Sequence, residues 1–285
     1  MPVCAFGQIR ATVKDSVTLL PVPYVNIWVE GENTGTTANE QGYFSLQASP
    51  NSGNIIFSSI GYHTKRVSVQ ALKGEVLLNP VIVPLDEVIV KPPKNKKLTI
   101  AKFRKAGINY YFACNKEPWI TARFFKYDPS YSATPYLKGI SLLTNGHVAH
   151  STFNIRIYAV DKTGKPGEYL CAQNILAVAR KGKHLTRVDL SDRHIRFPQN
   201  GLFIALEWFI TDENRYDYSY TVLGSSEKLS GTSYEPHFGT IPADTDENSW
   251  IYRKGGWERI WKNNGTVEKY KDKYNLLAIE LDLSN

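Results

Sequence analysis

The chain is written in short alternating runs. Residues 9–14 alternate apolar and polar, and residues 24–30 do so again, with Val25, Ile27 and Val29 on one face and Tyr24, Asn26 and Trp28 on the other. A period of two is the strand period, because successive side chains point to opposite faces. Residues 43–46, 54–60, 65–69, 75–78 and 87–90 continue the series at spacings of about ten residues, with Gly31, Gly35 and Gly42 punctuating the first part. That rhythm predicts a small antiparallel sandwich of seven or eight strands. A second series follows at residues 119–127, 136–144, 153–160, 174–180, 185–190 and 202–210, with further runs at 218–222, 249–254, 257–262 and 276–283. Turn pairs such as Asn145-Gly146 and Asn264-Gly265 separate them. Nothing is convincingly helical except residues 98–106, where a short amphipathic helical turn ending at Gly107 is expected. The prediction is an all-β chain: a prealbumin-like or Ig-like sandwich over residues 8–90, a connector over 91–107, and a larger jelly-roll-like sandwich over 108–285.

Charge changes the picture at one place. The formal net charge is +7. Residues 8–90 carry five basic and seven acidic side chains, whereas residues 91–107 carry Lys91, Lys94, Lys96, Lys97, Lys102, Arg104 and Lys105 and no acid. The excess is a local basic connector rather than a basic surface. It reads as a solvated spacer or as an electrostatic contact with anionic lipid headgroups or an acidic partner. Nucleic acid is not expected, since the run lacks interleaved stacking aromatics. No apolar stretch reaches the eighteen or so residues a spanning helix needs. Residues 1–7 read as the remnant of a secretory signal, with Ala5 and Gly7 at the small-residue positions before a cleavage site; a lipid-modified Cys4 is the weaker alternative. In an oxidising compartment Cys114 and Cys171 either pair or remain two buried thiols.

The first eighty residues also carry a recognisable pattern: an opening strand at 9–15, a strand pair leading to Gly31, a Thr37-to-Gly42-x-Phe44 turn and strand, and a late Ser58-x-x-Gly61-Tyr62. Together these resemble the carboxypeptidase regulatory-like domain of Bacteroidetes-type exported and outer-membrane proteins. Each piece has a physical role: Gly42 supplies the backbone angles of a tight turn, Phe44 opens a core strand, and Gly61 lets Tyr62 swing over the sandwich edge. The resemblance implies a module that binds and positions without catalytic machinery. It implies export to the periplasm or cell surface in association with the outer membrane, and a larger outer-membrane β-barrel complex as partner. Two barrel types are implied, a TonB-dependent uptake system and the translocon of type IX secretion and gliding. Residues 85–93 resemble the exit segment that precedes a receptor plug, but no plug follows.

Candidate chemistry is sparse, and the expectation is that the chain is not an enzyme and carries no cofactor. None of His63, His184, His194 and His237 begins the H-x-x-E pair of a zinc carboxypeptidase. His147 and His150 form the one close histidine pair, on a hairpin tip. Ser225 and Ser226 lack a nucleophile elbow. Glu207 interrupts an apolar run and reads as a paired core acid rather than as half of a glycosidase pair. Asp244, Asp246 and Asn248 alternate oxygen donors as calcium favours, but without the glycine and closing glutamate of an EF-hand. Trp250, Tyr252, Trp257 and Trp261 either fill a sandwich core or stack on sugar rings. The alternative to the adaptor is therefore a surface glycan-binding protein using its C-terminal sandwich.

Overall fold

The computed structural model describes residues 7–49, 52–81, 96–115, 117–222, 224, 226–265 and 267–285. Among these the chain is all β, with only short 3-10 turns between strands and no helix long and apolar enough to cross a membrane.

The N-terminal part forms two sheets. One has three strands in the order β4 (Tyr43–Ala48), β1 (Gly7–Asp15), β7 (Glu75–Leu78); the other has four, β3 (Gly35–Thr37), β2 (Asn26–Val29), β5 (Asn54–Ser58), β6 (Lys65–Ser68). The inward residues of both sheets, among them Val13, Ile27, Phe44, Phe57 and Leu78, close one apolar core. Gly42 sits at φ +70°, and a Cβ there would lie 2.5 Å from the Val13 carbonyl oxygen, so the turn admits only glycine. Asn39 caps that turn, accepting from the backbone N–H of Gln41 and Tyr43 at 3.0 Å each. Gly61, at φ +82°, precedes Tyr62, which packs on the core edge and donates its hydroxyl to Asp15 at 3.0 Å.

The second part is a larger sandwich. Its seven-stranded sheet runs β13 (Pro166–Tyr169), β12 (Ser151–Val160), β16 (Leu202–Trp208), β10 (Ile120–Phe125), β19 (Ser249–Arg253), β20 (Gly256–Arg259), with β14 (Ile175–Ala179) also on β12. Its eight-stranded sheet is built on β17 (Arg215–Thr221), β18 (Lys228–Ala243), β11 (Tyr136–Asn145), β22 (Ile279–Ser284) and β8 (Lys97–Ile100). Strands β9 (Tyr111–Cys114), β15 (His184–Asp189) and β21 (Tyr274–Leu277) pair off that path. Phe153, Ile155, Ile157, Leu202, Ile204 and Leu206 from the first sheet meet Leu142, Phe238, Ile279 and Leu281 from the second.

Strands β9 and β13 lie where no strand was expected, and two further segments differ more from the sequence expectation. The turn expected to be helical over 98–106 begins instead as β8, hydrogen-bonded to β22. Leu98 and Ile100 pack on the core while Thr99 donates to Asp282 at 2.6 Å, so the two-residue period wins over the helical one. The longest strand, β18, was not expected: Gly231, Pro236, Gly239 and Pro242 interrupt its alternation. The expected strand at 87–90 and the signal remnant up to Phe6 lie outside the described residues.

Candidate functional site: the seam between the sandwiches and the groove beside it

Strand β2 is buried on both faces. Its inward set fills the N-terminal core, and its outward set docks on the second sandwich. Tyr24, just before the strand, stacks on Phe209 with ring centroids 4.4 Å apart. Asn26 donates to Glu207 at 2.7 Å. Trp28 meets Tyr252 edge-on at 5.9 Å. Two outward positions of β2 and the one just before it thus each find a partner on or beside β16 and β19. The neighbouring strand β3 adds backbone-level contacts: Thr37 Oγ1 accepts from the Ile210 N–H at 3.0 Å. Gly35 lies so close to Pro118 that a Cβ would sit 2.5 Å from the ring carbon.

At the centre of this seam is a buried ion pair. Glu207 projects from the face of β16 opposite the sandwich core. Arg156, on the adjacent strand β12 two residues along from Asn154, which stands opposite Glu207, grips it with Nε to Oε2 and Nη2 to Oε1, both 2.7 Å. Asn154 adds a third donor at 3.1 Å, and Asn26 crosses from the other sandwich with the fourth. The Tyr169 hydroxyl accepts from the remaining arm of the guanidinium. Burial alone would lower the Arg156 guanidinium, but the Glu207 carboxylate overrides that and holds it above its ordinary value. Every oxygen of the carboxylate is occupied, so Glu207 has no lone pair directed at a substrate; its role is to pin β16, β12 and β2 together.

Beside the seam opens a groove of about 900 Å³. Asn33 of the N-terminal sandwich forms one rim. Arg215, Asp217 and Tyr218 on β17, with Ser230 to Thr232 on β18, form a wall, and Arg253 and Trp261 form another. The charges on the wall are tied down: Arg215 donates to Asp217 at 3.1 Å, and Thr232 donates to the same oxygen at 2.6 Å. Trp261 is 57% exposed, with the Arg253 guanidinium 4.7 Å from its ring centroid.

A separate cluster lies at the β11–β12 turn. Glu235 is fully buried, with His147 Nδ1 at 3.2 Å and His237 Nε2 at 3.7 Å from its Oε1. His147 stacks on Tyr216 at 4.3 Å. Burial lowers His237 below its ordinary value, with the Glu235 carboxylate opposing and His147 reinforcing the shift.

The sequence candidates are scattered by the fold. Lys91 and Lys94 lie outside the described residues; Lys96 donates its N–H to Asn285, Lys97 is on β8, and Lys102, Arg104 and Lys105 are exposed after it. Asp244 pairs with Lys273. The carbonyl oxygens of Asp246 and Asn248, not their side chains, are engaged, by Arg259 and by the Phe124 N–H. Among the described residues no three His, Cys, Asp or Glu side chains converge on a common point. Cys114 and Cys171 are free thiols, the former buried, which pushes its thiol up. Of the aromatic run, Trp250 is buried against Phe203, and Tyr252 and Trp257 pack on each other with ring centroids 5.2 Å apart. Only Trp261 reaches the groove. Tyr218, Arg215, Arg253 and the Glu235 cluster were missed by sequence reasoning. The Tyr216-x-Tyr218-x-Tyr220 alternation was the available signal for the first, since outward aromatics at period two mark an exposed strand face.

Residues 9–90 match the model of the CarboxypepD_reg-like domain, so the N-terminal sandwich has the family its motifs indicate. A curated protein, TonB-dependent receptor P39 of Formosa agariphila, is 32% identical over 72 residues, which is 25% of this chain and 7% of that receptor. The chain therefore spans a small fraction of this relative. Among solved structures, the cysteine protease and lectin-like domains of Cwp84 from Clostridium difficile align over 88% of this chain and 46% of that one, at 10% identity and a TM-score of 0.37. An infectious bursal virus T=1 particle protein aligns over 97% and 57%, at 12% identity and a TM-score of 0.29.

Proposed function

We propose that the chain is a non-catalytic accessory subunit of the bacterial outer envelope, which docks on a larger outer-membrane β-barrel complex and presents its second sandwich for binding. The observation that carries this reading is the regulatory-like domain at residues 9–90, locked face-on to a second sandwich through β2, and it is supported by the 72-residue likeness to a TonB-dependent receptor. A module used for positioning gains from a rigid seam, because a fixed second domain loses little orientational freedom when it binds. The barrel is either a TonB-dependent uptake receptor or the type IX translocon. The exposed basic residues after β8, Lys102, Arg104 and Lys105, suit an acidic partner surface or anionic headgroups. Affinity capture of the tagged chain from detergent-solubilised outer membranes tests the reading. Co-purification of a β-barrel protein in stoichiometric amount is expected. Recovery of the chain alone from the soluble periplasm would overturn it.

A further inference from the structure

Three aromatic side chains line the groove beside the seam; Trp119 is packed against Phe112 and Trp208, while Tyr218 and Trp261 each present a ring held flat by something beneath it. Trp261 has Arg253 stacked on its ring, and Arg253 is in turn fixed by its ion pair with Glu258. Tyr218 stands opposite Gly231 in the β17–β18 ladder. A Cβ on Gly231 would lie 2.6 Å from the Tyr218 ring carbon Cζ, so the absent side chain is what lets the phenol lie down across the neighbouring strand. A strand glycine commonly marks such a close approach. Both aromatics line the same groove of about 900 Å³, within the usual ~300–1,000 Å³ range of small-ligand sites.

Beside the apolar surface of Ala113, Pro118 and Ile251, the lining is rich in hydrogen-bonding groups. It offers the guanidinium of Arg215, the carboxylate of Asp217, the hydroxyls of Ser230 and Thr232, and the amides of Asn33 and Asn115. The charged side chains of the lining balance, with Arg215 and Arg253 against Glu117 and Asp217. Exposed flat rings, planar hydrogen-bonding groups and no net charge match one ligand class. The face of a pyranose presents axial C–H bonds that meet the electron-rich face of an aromatic ring, while its equatorial hydroxyls need in-plane donors and acceptors. A peptide would instead extend the open edge of β17, which forms one wall, and its capture is an outcome that the test below separates from sugar binding.

We propose that this groove is a binding site for a neutral oligosaccharide, with one sugar ring on Trp261, another on Tyr218, and the hydroxyls between them held by the Arg215–Asp217 pair. Asn33 brings the N-terminal sandwich into the site, so the seam also fixes the shape of the groove. This inference does not rest on the envelope reading: failure to capture a barrel leaves it untouched.

Isothermal calorimetry on the full chain tests it, with linear hexasaccharides of glucose, mannose, xylose and N-acetylglucosamine as probes. At least one is expected to bind, and Trp261→Ala and Tyr218→Ala are each expected to weaken it roughly tenfold or more. Tyr136→Ala, an exposed aromatic on β11 outside the groove, is expected to leave affinity unchanged. Gly231→Ala is expected to weaken binding by lifting the Tyr218 ring while both rings remain present. Trp261 is exposed, so its loss does not threaten folding, and it decides the matter alone if Tyr218→Ala proves unstable. Silence across the panel, binding that survives both aromatic deletions, or groove-dependent capture of an extended peptide in place of a sugar would each overturn the proposal.

Discussion

Glu207 is the residue on which the two sandwiches depend most. Its carboxylate sits among four donors, and the dense ring of partners is what makes a buried charge tolerable. Glu207→Gln removes the charge that Arg156 faces and turns an acceptor into a donor opposite other donors. A loss of about 3 kcal/mol is expected, in line with breaking one side of a buried pair, and urea unfolding of the full chain measures it. Asn26→Ala removes a single donor to a charged group and is expected to cost about 1–2 kcal/mol. An Asn26→Ala loss as large as that of Glu207→Gln would mean that the link across the seam, not the Arg156 pair, dominates. His237 faces Glu235 and His147, and burial keeps it neutral to lower pH than a free imidazole. In the unfolded chain it protonates near its ordinary value of about 6.5. Its contribution is therefore fully present above that value and is lost as pH falls below it, because the unfolded state then binds the proton more readily. Thermal melts from pH 8 to pH 5 are expected to show a drop in Tm below about 6.5 that is reduced in His237→Gln. An unchanged pH slope in that variant would assign the drop elsewhere.

At the scale of elements, the informative strand is β2. Its alternation was legible: Val25, Ile27 and Val29 on one face, Tyr24, Asn26 and Trp28 on the other. What the alternation could not disclose is that the second face is also buried, since two aromatics and an asparagine are as compatible with a solvated face as with an interface. The same limit applies to the aromatic run near the C-terminus. Period-two placement put Trp250 and Tyr252 on strand β19, but whether a ring is packed or presented depends on neighbours far along the chain, such as Phe203 and Trp257. Strand β18 was illegible because glycines and prolines break its pattern, although Gly231 and Gly239 are there to admit Tyr218 and Leu143 from adjacent strands. Legibility thus failed where a position is chosen for a cross-strand partner rather than for its own propensity. The β2 face gives a direct check. Trp28→Ala is expected to cost about 3 kcal/mol as a buried aromatic is lost. Trp28→Phe is expected to cost much less, because the indole Nε1 has no hydrogen-bond partner among the described residues to lose. Equal penalties would place the value of Trp28 in its N–H rather than in its contact with Tyr252.

For the whole molecule, the question is whether two sandwiches behave as two cooperative units or one. Chains of this length with separate cores ordinarily melt in stages, since each core can unfold while the other persists. Here the stages are coupled. Unfolding the N-terminal sandwich first would strip Tyr24 from Phe209, Trp28 from Tyr252 and Asn26 from Glu207, leaving the outer face of the seven-stranded sheet bare and the ion pair short of a donor. Unfolding the second sandwich first would expose the outward face of β2, every residue of which is buried. Neither intermediate keeps its partner's surface covered, so both are raised relative to the fully folded and fully unfolded states. A single calorimetric transition is therefore expected for the full chain, with calorimetric and van't Hoff enthalpies in agreement. Gly35→Val is expected to break the coupling, because its side chain would collide with Pro118 across the seam and with the Ile27 carbonyl oxygen and Trp28 on β2, wedging the seam apart at some cost to the N-terminal sandwich. That variant is expected to melt in two resolved steps and to gain a protease-sensitive site at the junction. Two steps in the unaltered chain would mean that the seam contacts are too weak to link the sandwiches. The rigid mount that both the proposed adaptor role and the proposed saccharide site call for would then be absent.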